Sequence, residues 1–136
     1  RLSATGFCWG GRWAWLFAAH RPLAAAVVWY GIVDGTMMFP DDRSLFPKHP
    51  LDLVDRLGSP VLGLYGGRDE AIPLGTIEAM REGLRTGSAD ARSSEIVVYP
   101  DAGHAFFADY RDSYSEPEAL DGWRRCLEWI ASRVGR

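Results

Sequence analysis

Hydrophobic residues along the chain form four short runs, separated by longer stretches of mixed character. The runs predict β-strands at residues 2–7, 25–30, 61–65 and 95–99. Their high apolar content is typical of strands that helices cover on both faces. The other stretches predict helices at residues 10–20, 50–57, 74–85 and 117–134. Strands that alternate with helices indicate an α/β fold, with a mostly parallel sheet of about four strands.

The last helix has the clearest periodicity. Apolar residues recur there at three- and four-residue spacing, which places them on one face that we expect to pack in the core. They are Leu120, Trp123, Leu127, Ile130 and Val134. Pro117 suits the first turn of this helix. Cys126 lies next to the stripe and is predicted to be a small buried residue without a redox or catalytic role.

One long connection, residues 31–49, carries several large apolar side chains. They are Met37, Met38, Phe39 and Phe46. Such a loop is either a lid that lines the entrance to a site or a segment collapsed on its own side chains. The sequence leaves both interpretations open.

Composition and charge restrict the class of protein. The chain has 136 residues and a net charge of −3, which is enough for one globular domain and gives no basic surface for nucleic acid. No apolar run approaches the roughly 20 residues that span a membrane. Two cysteines far apart in sequence make no disulfide framework and favour the reducing cytoplasm. Because the chain opens on Arg1, next to a predicted strand, we expect it to be part of a longer protein.

Neither a metal nor another cofactor is expected. His20 and His49 have no ligand spacing with one another or with Cys8. The glycine-rich segment, residues 6–12, lacks the Gly-Lys-Ser/Thr ending of a phosphate-binding loop and the spacing of a dinucleotide-binding fold.

That same segment places a cysteine between the first strand and the first helix. Residues 6–11 read Gly-Phe-Cys-Trp-Gly-Gly. A side chain at such a sharp turn projects from the carboxyl end of the sheet, which is a typical position for a nucleophile. Gly6 and Gly10 are expected to provide the space that the turn needs. Cys8 is therefore the candidate nucleophile.

Two further candidates follow later strands. Asp69 comes after the third strand, within Gly66-Gly67-Arg68-Asp69, and His104 comes after the fourth. Nucleophile, acid and histidine in this order are the chain order of an α/β-hydrolase triad. Asp34 follows the second strand and is an alternative acid. Asp101 is interpreted as a turn former before Gly103.

The chemistry explains why these residue types belong together. A thiolate attacks better than a thiol, so Cys8 needs a base, and His104 can accept its proton. Asp69 would accept a hydrogen bond from the other imidazole nitrogen and fix its tautomer. The backbone N–H of Trp9 is a candidate oxyanion donor. A second donor usually comes from a loop after an earlier strand, and none precedes the first predicted strand.

These motifs, together with residues 28–31, 66–73 and 102–106, resemble the dienelactone hydrolase (carboxymethylenebutenolidase) family. The segment from Tyr110 to Trp129 also resembles the C-terminal part of that family, so the resemblance covers essentially the whole chain. It implies an α/β-hydrolase fold and an enzyme that opens enol-lactones or cleaves small esters through an acyl-cysteine. It also implies Cys8, Asp69 and His104 as the triad.

The resemblance also bears on substrate binding. Arg111, Phe106 and Tyr30 are the residues expected to contact the substrate. One member of the family has an arginine four residues after the histidine, where this chain has Ala108; Arg111 is either a replacement that binds an anion or a solvated loop arginine.

The resemblance covers only the C-terminal half of the family's fold. We therefore expect a single truncated domain, residues 1–136, that lacks the N-terminal strands. Two functions remain: a hydrolase, or a non-catalytic remnant that serves as an assembly or binding module. Because the first strand would lie at or near a sheet edge, a homodimer or an exchanged assembly across that strand is expected.

Overall fold

Four parallel strands form the centre of the molecule. The structure is a computed structural model and describes residues 2–36, 38 and 44–135. The strands are β1 (Ser3–Phe7), β2 (Ala25–Trp29), β3 (Val61–Gly66) and β4 (Glu95–Tyr99). They lie side by side in the order β1-β2-β3-β4, and every neighbouring pair is parallel. The predicted α/β class and the parallel sheet are confirmed.

Helices connect the strands and cover both faces of the sheet. They are α1 (Trp9–His20), α2 (Leu74–Thr86), α3 (Ala89–Arg92) and α4 (Glu116–Val134), with a 3-10 helix at Pro50–Arg56. The sequence did not predict α3, a single turn in which the Ser88 side chain accepts a hydrogen bond from the N–H of Ala91. A turn this short is too brief to show a period.

The buried strands divide their side chains between two apolar layers. On β2, Ala26 and Val28 face the layer formed with α1 and α2, whereas Val27 and Trp29 face the layer formed with α4. This alternation follows from the two-residue period of a strand. The candidate residues follow the carboxyl ends of β1, β3 and β4, between these two layers.

The prediction for α4 is wrong about which residues pack on the sheet. The buried positions are Ala119, Gly122, Cys126 and Trp129. In contrast, Leu120 is 62%, Trp123 44% and Leu127 50% exposed. The cause is close approach, because a Cβ added at Gly122 would lie 2.7 Å from the Trp29 ring. The helix contacts the sheet through these four residues, and its leucines point away. Ile130 is the member of the predicted stripe that is partly buried and packs against the same layer. Cys126 is buried, as predicted.

Within the described residues, β1 has a neighbour on one side only. Large side chains are exposed beside this strand, among them Trp13 (51%) and Phe17 (46%) on α1. With Leu120, Trp123 and Leu127 of α4, they form what we call the β1 flank. The strand therefore lies at a sheet edge, where backbone groups on the outer side are available for pairing.

The long connection is described only in part. Met37 and Phe39 lie outside the described residues, so the two interpretations of this loop stay open. Phe46 packs its ring 5.7 Å from the ring of Trp9. No helix in the described part of the chain is long and apolar enough to cross a membrane.

Candidate active site

Cys8 occupies the turn between β1 and α1 in a strained backbone conformation. Its φ is 53°, in the left-handed region that residues with a side chain rarely adopt. Its N–H donates to the carbonyl oxygen of Trp29 at 2.9 Å, and its own carbonyl accepts from Gly11 at 3.0 Å. These bonds hold the turn between β2 and the first turn of α1. The side chain is exposed, as a nucleophile requires.

The glycines around Cys8 permit close backbone contacts, but only one of the two predicted positions takes part in them. A Cβ added at Gly6 would lie 2.1 Å from the carbonyl oxygen of Gly10, so β1 and α1 touch there. A Cβ on Gly10 would meet nothing within 4 Å, whereas one on Gly11 would lie 2.9 Å from Gly31. Gly6 provides space as predicted, but Gly11 rather than Gly10 is the second glycine that the packing requires.

Asp69 is positioned by a close contact between the loops after β3 and β4. A Cβ on Gly66 would lie 2.4 Å from the carbonyl oxygen of Ala102, and the N–H of Arg68 donates to that oxygen. One carboxylate oxygen of Asp69, Oδ1, accepts from the N–H groups of Ala71 and Ile72 at 2.8 and 2.9 Å. The side chain is fully buried, and its second oxygen faces His104.

The three candidate residues form one continuous line. His104 Nδ1 lies 2.8 Å from Asp69 Oδ2, and His104 Nε2 lies 3.2 Å from Cys8 Sγ. An ionised carboxylate only accepts hydrogen bonds, so Nδ1 donates to Asp69 and Nε2 faces the sulfur. Nε2 can therefore take the thiol proton, and the pair then becomes a thiolate beside an imidazolium.

The surroundings of His104 favour its charged form. The hydrogen bond to Asp69 is the largest cause that raises the pKa of His104 above its usual value; burial opposes the rise, and the hydrogen bond to Cys8 adds to it. A raised pKa makes His104 a stronger base toward the thiol.

Tyr30 lies against the imidazole and shares the strained backbone of Cys8. Its φ is 41°, and the third non-glycine residue at positive φ, Ala105, directly follows His104. The Tyr30 ring lies 5.2 Å from the His104 ring, edge to face. Burial, and then the nearby Cys8, raise the pKa of Tyr30 to about 12. Strained residues held by their surroundings often mark functional sites.

Phe106 and Arg111 differ in their access to the site. Phe106 is completely buried, with its ring 5.4 Å from that of Tyr30. The structure therefore does not place Phe106 where the sequence prediction needs it, and the residue supports Tyr30 from the core instead. Arg111 is exposed. Its positive charge acts on the Tyr30 hydroxyl and lowers the pKa of Tyr30, but burial raises this pKa by more.

The other acidic candidates have different partners. Asp34 accepts hydrogen bonds from the N–H and the hydroxyl of Thr36, so it forms a turn. Asp101 makes an exposed ion pair with Arg68 at 2.6 Å. Asp69 is thus the carboxylate that the structure pairs with His104. Among the described residues, no group of three histidine, cysteine or acidic side chains could hold a metal ion.

Sequence patterns did not identify Arg12, a buried cation in the first turns of α1. Its guanidinium donates to the carbonyl of Lys48 and to Nδ1 of His49, both at 3.1 Å. It also lies 5.7 Å from the Trp9 ring and 5.5 Å from the Phe46 ring. Arg12 therefore ties the end of the long connection to the helix that carries the nucleophile.

Comparisons with known proteins identify the family. The model of the dienelactone hydrolase family matches residues 1–134. The putative carboxymethylenebutenolidase of Salmonella typhimurium strain LT2 is 57% identical over 138 residues, which cover 100% of this chain and 48% of that protein. Its counterpart in Escherichia coli strain K12 is 54% identical, with the same coverage of both chains.

A solved structure extends the likeness to three dimensions. It is that of a putative dienelactone hydrolase from Klebsiella pneumoniae subsp. pneumoniae MGH 78578, with 55% identity and a TM-score of 0.86. The match covers 96% of this chain and 52% of that one. The chain thus spans about half the length of the relatives that it matches.

Proposed function

Because the chain belongs to the dienelactone hydrolase family, we propose that it hydrolyses small carboxylic esters or enol-lactones through an acyl-cysteine intermediate. The observation that carries the proposal is the line of short distances from Cys8 through His104 to Asp69. This line contains a nucleophile, a base and a group that orients the base, which are the parts that nucleophilic acyl transfer needs.

The first half of the reaction transfers the acyl group to Cys8. His104 takes the thiol proton, and the sulfur adds its electron pair to the carbonyl carbon. The carbonyl oxygen becomes an oxyanion, for which the N–H of Trp9, the first residue of α1, is a donor. When the tetrahedral intermediate collapses, the C–O bond breaks and His104 protonates the leaving alkoxide or enolate. A thioester on Cys8 remains.

The second half releases the acid with water. His104 Nε2 removes a proton from a water molecule, whose oxygen attacks the thioester carbonyl. The C–S bond then breaks, and the sulfur regains its electron pair and the proton from His104. Asp69 stabilises the imidazolium in both halves, because its buried oxygen stays at 2.8 Å from Nδ1.

Tyr30 and Arg111 are the residues that we propose for substrate binding. Tyr30 forms a wall beside His104, 5.2 Å away ring to ring. Arg111 places a positive charge near the Tyr30 hydroxyl, which suits a substrate that carries a carboxylate.

Burst kinetics with p-nitrophenyl acetate test the proposal. We expect a rapid release of nitrophenol, up to one equivalent per chain, before a slower steady rate, because acyl transfer to Cys8 precedes its hydrolysis. Cys8→Ser and His104→Ala should each lose the burst. Cys126→Ala is the matched control, since the Cys126 thiol is buried and burial raises its pKa to about 11.

The contrary outcome favours the second function. If the chain shows no burst and Cys8 alkylates no faster than an ordinary cysteine, the hydrolase proposal fails. The chain would then be a binding or assembly module with the architecture of a hydrolase.

We further infer that a second copy of the chain covers the β1 flank. Supporting this inference, β1 has one neighbour among the described residues, and aromatic side chains of α1 are exposed beside it. An unpaired strand edge beside an exposed apolar surface favours association with another chain.

Sedimentation tests the pairing. We expect a dimer at micromolar concentration, and Trp13→Lys should shift it toward monomer. Leu74→Lys is the matched control, because Leu74 is also exposed but begins α2, which connects β3 to β4 at the other end of the strand order from β1. A clean, well-folded monomer of the unmodified chain would refute the inference.

We also propose a cytoplasmic location, on the ground that Cys8 is an exposed free thiol and such a nucleophile requires reducing conditions. Oxidation of Cys8 in protein taken directly from its native compartment would argue against it.

A further inference from the structure

Tyr65 on β3 is completely buried and makes two hydrogen bonds through its hydroxyl. The indole N–H of Trp15 donates to the hydroxyl oxygen at 2.9 Å. The hydroxyl in turn donates to the carbonyl oxygen of Gly31, also at 2.9 Å. One side chain thus connects α1, β3 and the segment after β2, each of which carries part of the candidate active site.

The bond to Gly31 matters because Gly31 follows Tyr30 directly. The N–H of Tyr30 donates to the carbonyl of Leu64 at 2.8 Å. Two consecutive residues of β3, Leu64 and Tyr65, therefore hold the backbone on both sides of Tyr30. A left-handed φ of 41° persists in a residue with a side chain only where neighbouring bonds enforce it.

Close packing leaves Gly31 little freedom on its other side. A Cβ added there would lie 2.5 Å from the carbonyl carbon of Gly11 and 2.8 Å from the nitrogen of Arg12. The Tyr30–Gly31 segment is thus pressed against the first turn of the helix that begins after Cys8. Without the Tyr65 hydroxyl, the carbonyl of Gly31 would lose this partner, and the segment could relax away from the left-handed conformation.

We propose that Tyr65 is a positioning residue, which acts through Tyr30 to keep the His104 ring aligned with Cys8. The Tyr30 ring lies 5.2 Å from the imidazole, edge to face, and is itself supported by Phe106 at 5.4 Å. A change in the Tyr30 backbone moves this ring, and the contact that fixes the imidazole plane is lost. The 3.2 Å approach of Nε2 to the sulfur depends on that plane.

This inference rests on the proposed function for its importance, but its test does not require turnover. The measurement is the rate at which iodoacetamide alkylates Cys8, followed on its own peptide by mass spectrometry, as a function of pH. Tyr65→Phe removes only the hydroxyl. We expect the rate at neutral pH to fall about three- to tenfold, the range that one hydrogen bond is worth. At about pH 10, where a thiol ionises without help, the rate should equal that of the parent.

Tyr99→Phe is the matched control. Tyr99 lies on the neighbouring strand β4, and its hydroxyl donates to Asp121 at 2.8 Å, so this variant also removes a hydrogen-bonded tyrosine hydroxyl. Among the described residues, the Tyr99 side chain has no hydrogen bond to the segment after β2, so the alkylation profile of this variant should match that of the parent. If Tyr65→Phe gives the same profile as Tyr99→Phe, Tyr65 is only a packing residue and the proposal is overturned.

Trp15→Phe decides the matter if Tyr65→Phe does not fold. It removes the donor that orients the Tyr65 hydroxyl but keeps the hydroxyl itself, so we expect a decrease of about twofold at neutral pH that disappears at high pH. A profile like that of the parent would contradict the proposal. Ester turnover is measured separately, because the burst tests the proposed function and the alkylation profile tests the role of Tyr65. If the alkylation profile of a variant changes but its burst does not, the inference still holds. If the burst is normal and the alkylation profiles of both variants match the parent, the inference fails and the proposed function remains.

Discussion

The carboxyl edge of the sheet and the β1 flank differ in backbone strain and in the exposure of their side chains. At the carboxyl edge, Cys8, Tyr30 and Ala105 adopt strained backbone angles, and the polar atoms of the site bond to one another. At the β1 flank the geometry is ordinary, but apolar side chains remain exposed.

The contrast separates a region whose polar groups bond to one another from a region that leaves apolar surface exposed. The line from Cys8 to Asp69 is built entirely from described residues of this chain, whereas the β1 flank leaves large apolar side chains exposed. Substitutions at the carboxyl edge should therefore change reactivity. Substitutions at the flank should change association and leave reactivity intact.

The largest effect is expected from Asp69→Asn. The amide can still accept from Ala71 and Ile72 through its oxygen, but it carries no charge to stabilise the imidazolium. Stopped-flow measurement of the acylation burst should show a loss of at least about 100-fold, within the range that acid–base catalysis contributes. Asp34→Asn is the control and should act like the parent. Equal burst rates for both variants would show that Asp69 takes no part in catalysis.

A smaller effect, on stability, should distinguish the glycines of the elbow. Gly31→Ala places a Cβ within 2.5 Å of Gly11 and should lower the free energy of unfolding by about 1–3 kcal/mol. Gly10→Ala meets nothing within 4 Å, and in a helix it should raise that energy by up to about 1 kcal/mol. Urea unfolding measures both. The opposite ranking would mean that Gly10, not Gly11 and Gly31, sets the approach of α1.

The pH dependence of stability should report the His104–Asp69 bond. The folded state raises the pKa of His104, so this group stabilises the fold fully below its unfolded pKa of about 6.5 and progressively loses that contribution as the pH rises through the folded pKa. The difference in unfolding free energy between the parent and His104→Gln should therefore shrink from acidic to alkaline pH. His20→Gln, at the end of α1, is the control. A difference that grows with pH would contradict the assignment.

The smallest effect is expected on the exposed face of α4. Leu120→Gln should change the unfolding free energy of the monomer by less than about 0.5 kcal/mol, although Leu120 belongs to the predicted stripe. Ala119→Gln, one residue earlier but buried, should cost about 1–3 kcal/mol. If Leu120→Gln is the more damaging variant in the monomer, the leucine stripe packs after all.

These comparisons also show what the sequence could predict. Each triad residue lies in the loop or turn that follows an apolar run. Parallel strands bring their carboxyl ends together, so the meeting of Cys8, Asp69 and His104 was predictable. The family motifs around these three residues then indicated which of them is the nucleophile, the acid and the base. The strands were predicted to within about one residue, because buried parallel strands are continuous apolar runs.

What the sequence could not predict depends on distant pairings. Arg12 and His49 are 37 residues apart, and Trp15 and Tyr65 are 50 apart, so no local period connects them. Periodicity identified an apolar stripe on α4 but not which face approaches the sheet. That choice follows from the contact of Gly122 with the Trp29 ring, which only the packed structure contains.

Mass spectrometry of the acylated protein tests the central claim most directly. The chain is mixed with p-nitrophenyl acetate, quenched in acid during the burst and digested, and the peptides that carry Cys8, Cys126 and Lys48 are compared. We predict one acetyl group on the Cys8 peptide and none on the other two, with no acetylation of that peptide in Cys8→Ser. An unmodified Cys8 peptide, or acetyl groups spread over all three, would contradict the assignment of Cys8 as the nucleophile.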